Sequence, residues 1–264
     1  MNIFIIKNVM VTAWGDDGAE TSIFSCLPTM LYYSECNYSG YVDLNSDILK
    51  EKFKLLFRSN LDDFINTDII NEPSGKMVDT FYPNPSKYLL YNDILSPKFD
   101  HYVKYGYCGY YNQANNKLMA MSERNKPFSY MFITLAKLAG ILALKAELGL
   151  DLYNHYSSRD IDSLKDDVVV IESVILSTEK FYEAFKHQWL KENKSYGFEV
   201  ESIRIGGLIY RLKYAKERLE YYLTGRIDKI EELEEKRILK SITDFDIDYN
   251  QWATIVTANK LLFM

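Results

Sequence analysis

The stretch IDSLKDDVVVIESVILSTEKFYEAFKHQWLKEN, residues 161–193, decides the fold class. Leu164, Val168, Ile171, Ile175, Phe181, Phe185 and Trp189 recur mostly in steps of three and four, which lays one apolar stripe along a long helix. Gly197 punctuates its end. A second stripe follows over Val200 to Arg226, through Ile205, Leu208, Ile209, Leu212, Ala215, Leu219 and Tyr222. Upstream, Phe128 to His155 is apolar nearly all round, so the sequence predicts the central, most buried helix there. Lys137, Lys145 and Glu147 interrupt it, which marks a core helix rather than a membrane span of about 20 apolar residues. Short connections between long amphipathic helices favour antiparallel neighbours.

Before these helices the texture differs. LNSDILKEKFKLLFRSN (44–60) places Ile48, Leu49, Phe53, Leu56 and Phe57 at helical spacing. Asn71 to Phe99 holds Pro73, Pro83, Pro85 and Pro97 and reads as loop with short helical turns. Near the end, EELEEKRI (231–238) reads as a solvated charged helix, and YNQWATIVTANKLLFM (249–264) as an apolar piece that packs back.

The amino-terminal part is of another kind. Ile3 to Trp14 carries Ile5, Ile6, Val9, Met10 and Val11, a near-continuous β-branched run suited to a strand covered on both faces. GDDG ends it, Ser22, Ser25 and Pro28 supply helix-start chemistry, and LPTMLYYSECNY follows as a short helix. The expected architecture is mainly α: an antiparallel helical bundle over 41–264, preceded by one β/α unit over 1–40.

Composition narrows the function classes. The 264 residues carry a formal charge of −6 and no basic cluster, a poor match to nucleic acid or an anionic membrane surface. Cys26, Cys36 and Cys108 are too scattered for a disulfide framework, and His101, His155 and His187 lie far apart, so neither a zinc site nor any other metal or cofactor is expected. Few cysteines point to the reducing cytoplasm. The start MNIFIIK has too short an apolar run for a signal peptide.

Trp14 and Asp16 are the candidate site residues. At the carboxyl end of a parallel strand, a Trp offers its flat face to the C–H face of a pyranose ring. A carboxylate two residues on can accept from two neighbouring sugar hydroxyls, and such charge-assisted bonds are the stronger ones. Gly15 and Gly18 allow a sharp turn. Spacing alone favours a plainer alternative, a core Trp closing a strand with Asp16 or Asp17 capping the next helix. A calcium loop is excluded because DDGAE lacks alternating oxygen ligands.

The segments NVMVTAWGDDGAETSIFSCLPTMLYYSE (8–35), NPSKYLLYNDILSPKFDHY (84–102), SYGFEVESIRIGGLIYRLKYAKERLEYY (195–222) and YNQWATIVTAN (249–259) extend the comparison over most of the chain. Together they resemble the carboxyl-terminal portion of family 20 glycoside hydrolases, the bacterial exo-β-N-acetylhexosaminidases with a helical C-terminal domain. That resemblance implies the last strand, loop and helix of a (β/α)8 barrel over 1–40. It also implies retaining hydrolysis of terminal N-acetylhexosamine, assisted by the substrate's own acetamide and by an adjacent Asp-Glu pair. Trp14 then corresponds to the floor of the sugar subsite, and Asp16 to the residue holding the sugar's 4- and 6-hydroxyls. Asp17 and Glu20 are given no more than loop shaping or hydrogen bonding.

One departure matters most: no Asp-Glu dipeptide occurs in the 264 residues. The general acid and the acetamide-orienting Asp are therefore absent from this chain, so no catalytic residue is assigned and no hexosaminidase activity is expected from it alone. The strand at 3–13 would need pairing partners, so it is expected to be frayed, remodelled or paired with a second copy. The expected partners are a terminal N-acetylhexosamine, the earlier barrel segment and a second copy of the chain. Two other roles stay open at this point: a helical interaction or dimerisation module without sugar chemistry, and one half of a split enzyme. The tyrosines of HYVKYGYCGYY (101–111) are expected to line a contact with the barrel or another subunit, and IGGL (205–208) to permit close helix packing.

Overall fold

The computed structural model describes residues 9–13, 20–40, 43, 46–73 and 84–237. In chain order the helices are α1 (Leu27–Ser39), α2 (Asp47–Phe57), α3 (Leu61–Ile65), α4 (Pro85–Tyr91), α5 (Tyr107–Arg124), α6 (Ser129–Lys145), α7 (Leu148–Ser158), α8 (Ile161–Glu192), α9 (Phe198–Leu223) and α10 (Glu231–Glu234). Short 3-10 turns lie at Ile23–Cys26, Asn66–Asn71, Asp100–Tyr102 and Lys126–Phe128. The fold is helical, as the apolar periodicity predicts.

Helix α8 starts where its side chains stop the backbone amides from going unpaired. The Asp160 carboxylate accepts from Ser163 N at 3.1 Å and from Ser163 Oγ at 2.8 Å, an N-cap worth about 1 kcal/mol. Its buried stripe runs from Leu164 through Ile171, Val174, Ile175, Phe181 and Phe185 to Trp189. Gly197, at φ +93°, turns the chain into α9. A Cβ there would sit 3.0 Å from the Trp189 ring, so backbone conformation and packing both call for glycine.

The long helices form a row of antiparallel pairs. Along α8 and α9 the contacts fall in a reversed register: Trp189 with Phe198, Tyr182 Oη with Ser202 Oγ at 3.0 Å, Lys216 with Glu172 at 2.7 Å. Between α6 and α8, Tyr130 meets His187 and the Thr134 hydroxyl reaches Ala184 O at 3.3 Å. Between α5 and α6, Cys108 Sγ lies 3.8 Å from Leu142 O, and a Cβ on Gly140 would come within 2.9 Å of Asn115 Nδ2. Glycine at 140 is what lets those two axes close.

The segment Lys126–Ser158 is long and apolar enough to cross a membrane by length and composition alone. Here it lies between α5 and α8 with Phe132, Ile141 and Leu142 fully buried. It is also not the single helix expected over Phe128 to His155, since a turn at Ala146–Glu147 separates α6 from α7. The Glu147 carboxylate at that break accepts from Gly106 N at 2.9 Å and Cys108 N at 2.7 Å, so it serves the start of α5.

The loop after α4 is fixed by ionic side chains inside the core. Lys145 Nζ, buried, donates to Leu89 O at 2.9 Å and Asn92 O at 2.6 Å, carbonyls at the end of α4 that have no partner along their own helix. Burial pulls its pKa down to about 8 against the pull of Asp93 and Asp100. Asn92 donates to Asp100 Oδ1 at 2.9 Å and accepts from Lys98 N and Phe99 N. Asp93 accepts from Leu95 N and Ser96 N and pairs with Arg211 of α9. Burial alone would raise the Asp93 pKa, but Arg211 and the two amides bring it below its ordinary value.

Several expectations change. Residues 9–13 form no strand, and no β-strand is present among the described residues; Val9 and Met10 are exposed, Met10 at 82%. Among the described residues no neighbouring strand supplies backbone partners there, and the Val9 carbonyl accepts from Tyr33 Oη at 2.7 Å. Residues 3–8 of the expected strand lie outside the described residues, as do Trp14 and the final apolar piece at 249–264. Of the tyrosine cluster, Tyr107 and Tyr111 turn into this domain's own core on α5, a helix the sequence reading did not anticipate, while Tyr105 is exposed. Gly206 of IGGL faces open space, so it does not serve close packing. The helix expected at EELEEKRI is only four residues long and buries Leu233. His155 has Nδ1 2.8 Å from Asp167 Oδ2.

Candidate functional site

Trp14 and Asp16 lie outside the described residues, so the site is built from the residue at which that loop rejoins them, Glu20. Its carboxylate bridges two cations from separate helices. Lys87 Nζ of α4 stands 3.0 Å from Glu20 Oε2, and Arg204 Nη1 of α9 pairs with Glu20 Oε1. Lys87 and Arg204 are both buried, whereas the Glu20 side chain keeps 24% of its exposure. The Arg204 guanidinium also stacks over the Tyr91 ring, 4.0 Å from its centroid.

A second carboxylate completes the cluster. Glu201, one turn before Arg204 on α9, is 1% exposed, and its Oε2 accepts no hydrogen bond among the described residues. Burial, and then the charge of Glu20, push its pKa up to about 7, with Arg204 and Lys87 opposing. Two acids and two bases therefore share one interior site, with Glu201 the member most easily neutralised. The same burial and the same Glu20 charge drive the Tyr91 phenol well above its ordinary value.

Two residues further on, buried Ser22 gives its hydroxyl hydrogen to Glu192 Oε1 at 2.5 Å, at the end of α8. Its oxygen accepts from Phe24 N at 3.2 Å, capping the Ile23–Cys26 turn. The segment Glu20–Ser22 is thus joined to α4, α8 and α9 by three ionic or charge-assisted contacts, each stronger than a neutral hydrogen bond.

Beside this segment opens a cleft of about 410 Å³, between Thr21–Thr29 on one side and residues of α3, α6 and α8 on the other. Its lining mixes Ile70, Met131 and Leu135 with Thr21, Ser25, Thr29, Thr67, Asn71 and Gln188. Among the described residues no group of three His, Cys, Asp or Glu could hold a metal ion. The arrangement can fix the backbone leading out of residues 14–19 and can bind a polar ligand; among the described residues it presents no proton donor aligned with a nucleophile.

The model of the glycoside hydrolase 20C C-terminal domain matches residues 62–246. The chain belongs to that family. No curated protein matches it. Within this glycoside hydrolase 20C C-terminal domain, the match takes in Lys87, Glu201 and Arg204, while Glu20 and Ser22 precede it. The family domain therefore supplies the cations and the helix end that grip a segment outside its own boundary.

Sequence reasoning assigned none of Lys87, Glu201, Arg204 or Gln188. A signal existed for two of them: Glu201 and Arg204 fall at the spacing of Ile205 and Leu208, on the face that the apolar stripe marks as buried. Charged residues so placed must be paired.

Proposed function

We propose that this chain acts as the helical, carboxyl-terminal portion of a glycoside hydrolase that removes terminal N-acetylhexosamine, and that its helices hold the sugar-binding loop in place. The carrying observation is the three-way attachment of Glu20–Ser22 to α4, α8 and α9. Trp14 would stack on the sugar ring and Asp16 would accept from its hydroxyls, six and four residues before the anchored Glu20. The acetamide-assisted cleavage needs an Asp-Glu pair, and this sequence has none. Chemistry would then require barrel strands carrying that pair.

The outward face supports a docking role for the amino-terminal part. Val9, Met10, Ile23 and Tyr38 are exposed there, and Ile48, Leu55 and Leu56 are exposed on α2. Such exposed apolar side chains are available to a contact with another chain. A second reading, association with another copy of the chain, draws on the same residues.

A chromogenic N-acetylglucosaminide tests the proposal. The purified chain alone should give no turnover. Adding a family 20 barrel segment with its Asp-Glu pair should give turnover that Trp14→Ala lowers. Turnover by the chain alone, or activity of the mixture indifferent to Trp14, would refute it.

A further inference from the structure

The cleft beside the Glu20–Ser22 segment carries an assignment of its own. Gln188, on α8 one turn before Glu192, is 4% exposed and lines this cleft. Its carboxamide makes no hydrogen bond among the described residues. On the opposite wall Thr21, Ser25 and Thr29 follow one another at four-residue steps through the 3-10 turn into α1, and all three line the cleft. Their hydroxyls likewise have no partner among the described residues.

The other polar groups at this place are already engaged. Asn71 accepts from Ser86 Oγ at 2.7 Å and donates to Asp68 Oδ1 at 3.1 Å. Thr67 donates to Phe64 O and Thr134 to Tyr130 O. Glu20 at the rim is matched by Lys87 and Arg204. Among the neutral groups of the described lining, one carboxamide and three hydroxyls are left over, all able both to donate and to accept. Among the described residues no Lys or Arg lines the cleft, and Asp68 adds negative charge, so anions are disfavoured. Ile70, Leu135 and Pro28 provide apolar strips between the polar groups.

We propose that this cleft is a binding site for a neutral polyhydroxylated ligand, a pyranose sugar, separate from the one assigned to Trp14. Alternating hydroxyls and C–H faces on a sugar match alternating polar groups and apolar strips on the wall. The volume of about 410 Å³ falls within the roughly 300–1,000 Å³ of small-molecule sites. Bound, the sugar's hydroxyls supply the partners that Gln188 lacks.

The test follows the side-chain amide signals of Gln188 by 1H–15N NMR while the full chain is titrated with N-acetylglucosamine, glucose or sodium gluconate. Saturable shifts with the two neutral sugars, at least about tenfold weaker with the anionic gluconate, are expected. Gln188→Leu, followed through the backbone amides of Thr21 to Thr29 under the same titration, should lose at least about tenfold in affinity, the worth of one or two hydrogen bonds. Its melting temperature should hold, because the carboxamide makes no hydrogen bond among the described residues that the change would remove. In Trp14→Ala the shifts at Gln188 should persist, whatever that change does to binding at Trp14. Absence of saturable shifts would overturn the proposal, as would binding that survives Gln188→Leu. Binding lost in Trp14→Ala but kept in Gln188→Leu would also overturn it, while leaving the Trp14 reading intact.

Discussion

Glu20 and Arg204 stand 184 residues apart in the sequence and form an ion pair in the fold. Through that contact α9 reaches the residue at which the candidate sugar loop ends, and Lys87 reaches it from α4.

The pair should be energetically coupled. Arg204→Met leaves Glu20 and Glu201 with one cation between them and is expected to cost about 2–4 kcal/mol, somewhat less than a fully buried pair because Glu20 keeps part of its exposure. Glu20→Gln should cost less. A double-mutant cycle by urea unfolding should give a coupling of about 1–3 kcal/mol. Additive effects would mean that the contact contributes nothing.

Glu201 should give stability a pH dependence of definite sign. Its ordinary pKa of 4.5 rises to about 7 in the fold. Between those values the folded chain retains a proton that the unfolded chain has released, so this group's contribution falls as pH rises through the window and is lowest above 7. The loss amounts to up to about 3 kcal/mol. Glu201→Gln should flatten that slope between pH 5 and pH 8 in urea titrations (about 1.4 kcal/mol per pKa unit). A slope identical in wild type and variant would show that Glu201 does not titrate there.

Tyr111 offers a smaller test. Its ring is fully buried and its hydroxyl has no hydrogen-bond partner among the described residues. Tyr111→Phe removes an unpaired group without opening a cavity, and a gain of about 1 kcal/mol is expected by thermal or urea unfolding. A clear loss of stability would show that the hydroxyl does find a partner.

Much of the fold was legible because its helices bury one face each. The stripe from Leu164 to Trp189 predicts α8 nearly to its ends, and the one from Ile205 to Tyr222 predicts α9. Helix α5 escaped because Tyr107, Tyr111, Ala114, Leu118 and Met121 are separated by Asn, Gln and Lys, and the tyrosines suggest an interface as readily as a core. The break at Ala146–Glu147 escaped because no Gly or Pro marks it; its cause is the non-local reach of Glu147 to Gly106 and Cys108.

For the site, Trp14 and Asp16 are candidates from family resemblance that lie outside the described residues, whereas Lys87, Arg204, Glu201 and Gln188 needed three dimensions. Each meets its neighbours only once α4, α8 and α9 have packed. Periodicity can say that position 204 faces inward, but not that it faces Glu20.

Backbone amide exchange in Glu20→Gln addresses most directly whether the helical domain holds the segment leading out of the loop. Exchange at Glu20–Cys26 should quicken at least about tenfold, the equivalent of about 1.4 kcal/mol of local stability, while the amides of α6 keep their wild-type protection. Unchanged exchange at Glu20–Cys26, or a uniform rise across α6 and α8, would contradict the attachment.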